Sequence, residues 1–207
     1  KQIMSDTRPI GVCDSGVGGL TLLRELDNLM PYENFVYVAD TLRMPYGTKS
    51  EDEIILCSDR LIHFLESQDC KLIVVACNTV SALLPEIEKG AGAHVPVVGI
   101  INYGCVAAAL YVTYNFNIGI WATHRTVESG VYRKFIDNFD PTVKILTEPC
   151  TDLIPMIESG MVGSPTVRQH AEKYLTPMLL EDVDTLILGC RHLPFIKTIT
   201  QDIVTTA

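Results

Sequence analysis

The sequence has little positive charge, no cysteine pairs at metal-binding or redox spacing, and no long apolar runs. Its 16 lysines and arginines stand against 25 aspartates and glutamates, which gives a formal net charge of −9. Nucleic acids and anionic membrane surfaces bind basic proteins, so we expect neither as a partner. A small anionic substrate is compatible with this charge, because backbone amides can bind anions locally.

Signals for membranes, secretion and metal frameworks are absent too. No apolar run reaches membrane-spanning length, and residues 1–6 contain no apolar signal core. The seven cysteines are odd in number, scattered, and without a C-x-x-C pair, which argues against a disulfide framework, a zinc ribbon and a thioredoxin-like centre. We therefore expect a soluble cytoplasmic protein with reduced thiols, in which Cys57, Cys70 and Cys105 are buried structural residues.

Short apolar runs alternate with helical patterns along the chain, which is typical of a parallel α/β fold. The predicted strands are Ile10–Val12, Phe35–Val38, Leu72–Ala76, Val95–Ile100, Ile118–Trp121, Val143–Leu146 and Thr185–Leu188. Helical rows are formed by Leu20, Leu23, Leu26 and Met30, by Ile54, Ser58, Leu61, Ile62 and Leu65, by Val127, Val131 and Phe135, and by residues 166–179. One series ends near Gly99–Gly104, so we predict two similar doubly wound parallel-sheet domains, 1–100 and 101–207. A single doubly wound domain is the alternative.

Two cysteines stand directly after apolar strand patterns. Cys77 follows the run ending at Ala76 and opens a helix, and Cys190 follows Leu188-Gly189 with His192 two residues on. Ligands of open α/β sheets bind at the carboxyl ends of the strands, so both thiols are candidate site residues. We expect the helix start to favour the Cys77 thiolate and His192 to relay a proton for Cys190. A metal site at Cys190 would need further ligands that the spacing does not supply.

Other strand ends carry weaker signals, each with a structural alternative. Asp14–Leu20 is a glycine-rich turn that can bind an anion or simply start a helix, and it matches neither a dinucleotide fingerprint nor a Walker A loop. Asp40–Gly47 is a turn whose Asp40 or Tyr46 can face a cleft. Thr123 caps a helix or binds a carboxylate. Glu158 is a candidate carboxylate or a solvated helix end.

Two thiols suit the inversion of a stereocentre next to a carboxylate. One thiolate removes the α-proton from one face, and a thiol delivers a proton to the other, so the pair works in both directions. Free cysteine has a pKa near 8.5, which lets such a pair hold unlike protonation states near neutral pH. Converging amides and hydroxyls would stabilise the carbanion-like charge.

At this point the chain resembles a known family, the glutamate racemases, which supply D-glutamate for peptidoglycan without a cofactor. Six elements carry the resemblance in chain order: Asp14–Leu20, Asp40–Gly47, Ala76–Thr79, Thr126–Gly130, Glu158–Gly160 and Leu188–Pro194. The resemblance implies two α/β domains with the active site in the cleft between them, a homodimer, glutamate as substrate, and neither pyridoxal phosphate nor a metal.

The resemblance also implies residue roles. Cys77 and Cys190 would be the two acid/base catalysts, assisted by Asp14 and His192. The implied substrate-binding residues are Ser15, Asp40, Pro45, Tyr46, Gly47, Asn78, Thr79, Thr123, Glu158 and Arg191. In the related aspartate racemases an acidic residue stands where this chain has His192.

The chain departs from the family pattern at three places. Arg191 replaces a threonine that contacts substrate, so it either clamps a carboxylate or obstructs the site. Leu193 replaces a tyrosine. The family continues beyond residue 207 with a further strand and helix that pack on the first domain. A racemase of another acidic substrate such as aspartate, and a non-catalytic glutamate-binding protein, are the alternatives to glutamate racemisation.

Overall fold

The chain divides into two compact units at Ile100. A computed structural model describes residues 6–91 and 93–206. Both units are α/β with parallel sheets, as the sequence predicts. Each strand forms at one of the seven apolar runs, because β-branched and aliphatic side chains buried on both faces favour parallel strands.

The first unit contains a four-stranded parallel sheet in the order β2-β1-β3-β4. Its strands are β1 (Ile10–Asp14), β2 (Phe35–Ala39), β3 (Leu72–Val75) and β4 (Val97–Gly99). Its helices are α1 (Leu20–Leu29), α2 (Glu51–Ser67), α3 (Asn78–Ala82) and α4 (Leu84–Ala91), and a 3₁₀ turn spans Tyr46–Thr48. The fourth strand is shorter than predicted, because Ile100 already belongs to the next helix.

The second unit contains a three-stranded parallel sheet in the order β6-β5-β7. Its strands are β5 (Asn117–Ala122), β6 (Lys144–Pro149) and β7 (Thr185–Gly189). Its helices are α5 (Ile100–Ala107), α6 (His124–Glu128), α7 (Val131–Asp137), α8 (Leu153–Glu158), α9 (Pro165–Leu180) and α10 (Lys197–Thr206). A π turn (Ala108–Val112) continues α5, and a 3₁₀ turn spans Leu193–Ile196.

Local chemistry explains where the helices begin and end. Ser50 and Glu53 form a reciprocal capping box at the start of α2. The predicted row through Val127, Val131 and Phe135 is wrong as one helix, because the chain breaks at Gly130 into α6 and α7. Gly130 has a φ of +63°, a left-handed conformation that glycine adopts without strain.

Each unit has its own core. In the first unit, Ile54, Ile62 and Leu65 of α2 pack against Ile73 and Val75 of β3. In the second unit, Trp121 of β5 packs with side chains of α8 and α9, and its ring meets that of Tyr174 edge to face. Cys57, Cys70 and Cys105 are buried, as predicted. Within the described part of the chain, every helix is too short or too polar to cross a membrane.

Candidate active site

The two units place a cysteine at corresponding points of their sheets. In both, the strand that comes first in the chain (β1 or β5) lies between the second and the third strand of the unit. Cys77 lies two residues beyond the end of the third strand, β3, and Cys190 directly follows its counterpart, β7. Both thiols are buried, so topology alone brings each to the edge where α/β sheets bind ligands.

The Cys77 cluster consists of Asp14, Ser15, Cys77, Asn78 and Thr79, all of them buried. The Cys77 Sγ donates a hydrogen bond to the Ser15 Oγ over 3.5 Å. Asn78 and Thr79 are the first two residues of α3. Strand β1 therefore supplies the carboxylate and hydroxyl, and β3 supplies the thiol and the start of a helix.

A tight turn fixes the Asp14 carboxylate. Its Oδ2 accepts hydrogen bonds from the backbone N–H groups of Gly16 (3.2 Å) and Gly19 (2.9 Å). A Cβ on Gly19 would lie only 2.7 Å from the Cβ of Asp14 and 2.8 Å from the Tyr37 Oη. Glycine at position 19 is thus required for this approach, and the glycine-rich motif holds an internal carboxylate in place.

Burial raises the pKa of the Cys77 thiol to about 11, and the negative charge of Asp14 acts in the same direction. The Ser15 hydroxyl and the backbone amides of Val80 and Thr79 lower the pKa, but by less. The amides at the helix start thus favour the Cys77 thiolate, as expected, but they do not lower its pKa overall, because desolvation of the thiolate outweighs them. Cys77 is a thiol at neutral pH in this structure.

The loop after β2 is tied together by the buried carboxylate of Asp40. Its Oδ2 accepts a hydrogen bond from the Tyr46 Oη at 2.8 Å, and its Oδ1 accepts one from the Arg43 Nη1 at 3.0 Å. Tyr46 is only 1% exposed and opens the 3₁₀ turn that includes Gly47, directly after Pro45. The polar groups of Asp40 and Tyr46 face each other, so this pair shapes the Pro45–Gly47 loop.

The Cys190 cluster consists of Thr123, Glu158, Cys190, Arg191 and His192. The Cys190 Sγ lies 3.5 Å from the His192 Nδ1, and the His192 Nε2 lies 3.3 Å from the Glu158 Oε1. Thiol, imidazole and carboxylate thus form a row. In such a row the imidazole can pass a proton to or from the thiol, and the carboxylate lies within ion-pair distance of the ring without an aligned hydrogen bond.

Thr123 caps α6 in the way the sequence suggests. Its buried Oγ1 accepts a hydrogen bond from the Thr126 backbone N–H at 3.3 Å and lies 2.9 Å from the Thr126 Oγ1. Capping is therefore confirmed as one role of Thr123. Its hydroxyl lies at the carboxyl end of β5, the counterpart of the strand that carries Asp14 and Ser15.

Tyr132 is a member of this region that sequence reasoning missed. A Cβ on Gly189 would lie 2.7 Å from the Tyr132 Oη, so the glycine before Cys190 lets this phenol pack against the strand end. Burial raises the pKa of Tyr132, and the positive charge of Arg191 opposes that rise. The only sequence signal was the Thr126–Gly130 element, whose Gly130 starts the helix that carries Tyr132.

The chain is similar in sequence to known proteins. Residues 18–205 match the family model described as Asp/Glu/Hydantoin racemase. The glutamate racemase of Thermoanaerobacter pseudethanolicus is 40% identical over 199 residues, covering 96% of this chain and 74% of that protein.

Within residues 6–91 and 93–206, no group of three or more His, Cys, Asp and Glu side chains is arranged to hold a metal ion.

Solved structures show the same similarity. The glutamate racemase of Francisella tularensis in complex with D-glutamate superposes with a TM-score of 0.88 at 35% identity, covering 97% of this chain and 75% of that one. The glutamate racemase of Bacillus anthracis superposes with a TM-score of 0.90 at 33% identity, covering 97% of this chain and 74% of that one. The two parallel-sheet domains are thus an architecture shared with these enzymes.

Proposed function

The chain belongs to the Asp/Glu/Hydantoin racemase family and is an amino-acid racemase, and we propose that it interconverts L- and D-glutamate with two cysteines as acid and base. Relatives that are 40% identical over nearly the whole chain are glutamate racemases, and the Francisella tularensis neighbour binds D-glutamate. His192 supports the same substrate, because the resemblance places an acidic residue there in aspartate racemases.

One observation carries the mechanism: each unit brings a buried thiol to the end of the corresponding strand and gives it a partner of its own. Cys77 has Ser15 at 3.5 Å, beside the fixed carboxylate of Asp14. Cys190 has the imidazole of His192 at 3.5 Å, backed by Glu158. Two structural cysteines would have no reason to share this position and to carry proton-handling neighbours.

The proton transfers balance without a further reagent. One cysteine thiolate takes the α-proton of glutamate and becomes a thiol, which leaves a carbanion-like centre. The other cysteine thiol gives its proton to the opposite face of the α-carbon and becomes a thiolate. The product leaves with the opposite configuration, and the two cysteines have exchanged protonation states. The reverse turnover, or proton exchange with water, restores the starting state.

The surroundings of the thiols set the cost of this chemistry. Burial disfavours the Cys77 thiolate, while the Ser15 hydroxyl and the amides of Thr79 and Val80 favour it. A desolvated thiolate is a stronger base towards a weak carbon acid than a solvated one, so the raised pKa of Cys77 helps it to remove the α-proton once the thiolate forms.

We propose that Asn78, Thr79 and Thr123 help to bind the substrate, and that the Pro45–Gly47 loop covers it.

We extend the proposal to the cellular role. The family resemblance implies that the D-glutamate serves peptidoglycan synthesis and that the enzyme is a homodimer. Within the described part of the chain no cysteine forms a disulfide, and we propose a cytoplasmic location because reduced thiols persist in a reducing compartment.

The test is incubation of the purified chain with L-glutamate in deuterated water. Circular dichroism follows the loss of optical activity, and proton NMR follows exchange at the α-carbon. We expect both signals with glutamate and much weaker ones with L-aspartate. Exchange with aspartate but not with glutamate would assign the other acidic substrate. Stabilisation of the chain by glutamate without exchange would show a binding protein and overturn the proposed activity.

A further inference from the structure

Arg191 differs from the other arginines of the second unit. Arg125, Arg133 and Arg168 each form an ion pair with an acidic residue three or four positions further along the chain. Arg191 directly follows Cys190, and its Nε is buried without a hydrogen-bond partner. Among the carboxylates that the structure describes, none lies within ion-pair distance of Arg191.

A partly buried arginine without an ion-pair partner lowers the free energy of unfolding of the protein. A guanidinium is always charged and carries five N–H donors, so partial burial without an anion leaves donors desolvated and charge uncompensated. A substrate carboxylate would remove that cost, because it accepts two parallel hydrogen bonds from a guanidinium. Groups left unsatisfied beside reactive residues are typical of sites that are completed by a ligand.

The position of the guanidinium indicates which carboxylate it would bind. Cys190 lies in the row with His192 and Glu158 and packs in the core with α8 and α9. Arg191, the residue between Cys190 and His192, takes no part in this row: its charge acts on Tyr132 of α7, as that of Cys190 does, and among the described residues no ion pair joins it to Glu158. In glutamate the α-carboxylate is one bond from the reacting carbon, and the side-chain carboxylate is three bonds away. A cation next to the reacting thiol in the chain, but outside the row of acid–base groups, matches the more distant carboxylate.

We propose that Arg191 binds the side-chain carboxylate of the substrate and thereby makes the enzyme select a dicarboxylic amino acid. This inference rests on the proposed function, since it assumes that Cys190 acts on the α-carbon. It also resolves the departure from the family pattern, because the arginine then clamps a carboxylate at the position where the family has a threonine.

The experiment compares three variants with the wild type: Arg191→Gln, Arg191→Lys and the control Arg168→Gln. Arg168 has the same charge in the same unit but is paired with Glu172 on α9. Thermal unfolding is measured with increasing L-glutamate and, separately, L-glutamine, which is nearly isosteric but has a neutral side chain. The midpoint shift gives the affinity of each ligand without requiring turnover.

We expect Arg191→Gln to bind glutamate about 10- to 100-fold more weakly than the wild type, the loss that follows from one charged hydrogen-bonded contact. Glutamine should bind the wild type and this variant alike. Arg191→Lys should be intermediate, because it keeps the charge and loses the planar fork. Arg168→Gln should match the wild type. Without ligand, Arg191→Gln should be at least as stable as the wild type, because it removes an unpaired charge.

Three results would overturn the inference. The first is unchanged glutamate affinity in Arg191→Gln, and the second is no stabilisation of the wild type by glutamate. The third is an equal loss for glutamate and glutamine, which would assign Arg191 to the α-carboxylate they share. Failure of the proposed function is distinguishable: glutamate would then bind in an Arg191-dependent way while the wild type shows no exchange at the α-carbon.

Discussion

Cys77 and Cys190 occupy corresponding places in two similar sheets, yet their surroundings differ. The Cys77 cluster has a hydroxyl and a carboxylate held by backbone amides, with Ser15 as the nearest hydrogen-bond partner. The Cys190 cluster has an imidazole next to the thiol and a carboxylate behind the imidazole. The charge of the first cluster's carboxylate acts on its thiol, while in the second cluster an imidazole lies between the carboxylate and the thiol.

This difference shows that the strand topology places the thiols, whereas the loop side chains set their chemical surroundings. Parallel strand order brings both thiols to the carboxyl ends of their sheets, whatever follows in the loops. The loop residues then set how each thiol gains and loses its proton. Asp14 is fixed by the Gly16–Gly19 turn, and His192 is fixed by its position two residues after Cys190, so neither feature requires the other unit.

Removal of either thiol tests whether the two clusters are equal partners. We expect Cys77→Ser and Cys190→Ser each to lower the racemisation rate of glutamate by about 10⁴-fold, because each takes away the acid or base on one face. Circular dichroism measures the rate. Cys70→Ala is the control, since Cys70 is buried just before the opposite end of β3. Full activity in either serine variant would refute the two-thiol mechanism.

Replacement of the imidazole tests the feature that is unique to the Cys190 cluster. We expect His192→Gln to lower kcat by about 10²-fold, because the thiol loses its proton relay, and to change the pH dependence of kcat while KM changes little. Steady-state kinetics across pH measures both. The control is His170→Gln, because the His170 ring lies near the Thr166 carbonyl and the Asp152 carboxylate and outside the Cys190 cluster. A kcat equal to that of the wild type would remove His192 from the mechanism.

Removal of the Tyr46 hydroxyl tests the role of the Pro45–Gly47 loop in the first unit. Tyr46→Phe removes the 2.8 Å hydrogen bond to Asp40, so we expect stability to fall by about 1 to 2 kcal/mol and KM for glutamate to rise with kcat nearly unchanged. Urea unfolding and kinetics measure the two effects. Tyr174→Phe is the matched control, because its hydroxyl also donates to an aspartate, Asp152. An equal rise of KM in both variants would count against the loop.

The smallest expected effect concerns the charge of Asp14. Because this carboxylate disfavours the Cys77 thiolate, Asp14→Asn should lower the pKa of Cys77 below about 11. Alkylation of Cys77 by iodoacetamide should then begin at lower pH than in the parent protein. Mass spectrometry of the labelled peptide measures this in a Cys190→Ser background, and a Cys77→Ser sample identifies the signal. A shift to higher pH would show that lost amide contacts outweigh the lost charge.

Much of the fold could be predicted from the sequence. All seven strands form at the apolar runs. The central strands β1 and β5 are buried almost throughout, which requires a continuous stretch of apolar residues. Errors fall at the ends of elements. Ile100 reads as a strand residue but begins α5, and Val127 and Val131 share a helical row but lie in two helices. The spacing of apolar residues does not reveal the left-handed conformation of Gly130, which divides that row between two helices.

The sequence could predict which residues are candidates for the site, but not the charges and pKa values that the fold gives them. Strand ends pointed to both cysteines and to His192, and the Glu158–Gly160 motif pointed to Glu158, which ends helix α8. The hydrogen bonds of Asp40 to Arg43 and Tyr46 depend on how their loop folds, and the packing of Tyr132 against Gly189 joins two different elements. The raised pKa of Cys77 depends on how much water the fold removes, which no local pattern contains.

The sequence alone therefore determined the α/β class, the approximate strand ends and the candidate site residues, because periodicity and motifs can be read along the chain. Only the tertiary structure decided the protonation of Cys77, the internal pairing of Asp40 with Tyr46, and the isolation of the Arg191 guanidinium. These depend on how deeply the fold buries each group and on which groups it brings into contact. Desolvation and charge pairing are properties of the folded surroundings, and a linear sequence does not specify them until the fold does.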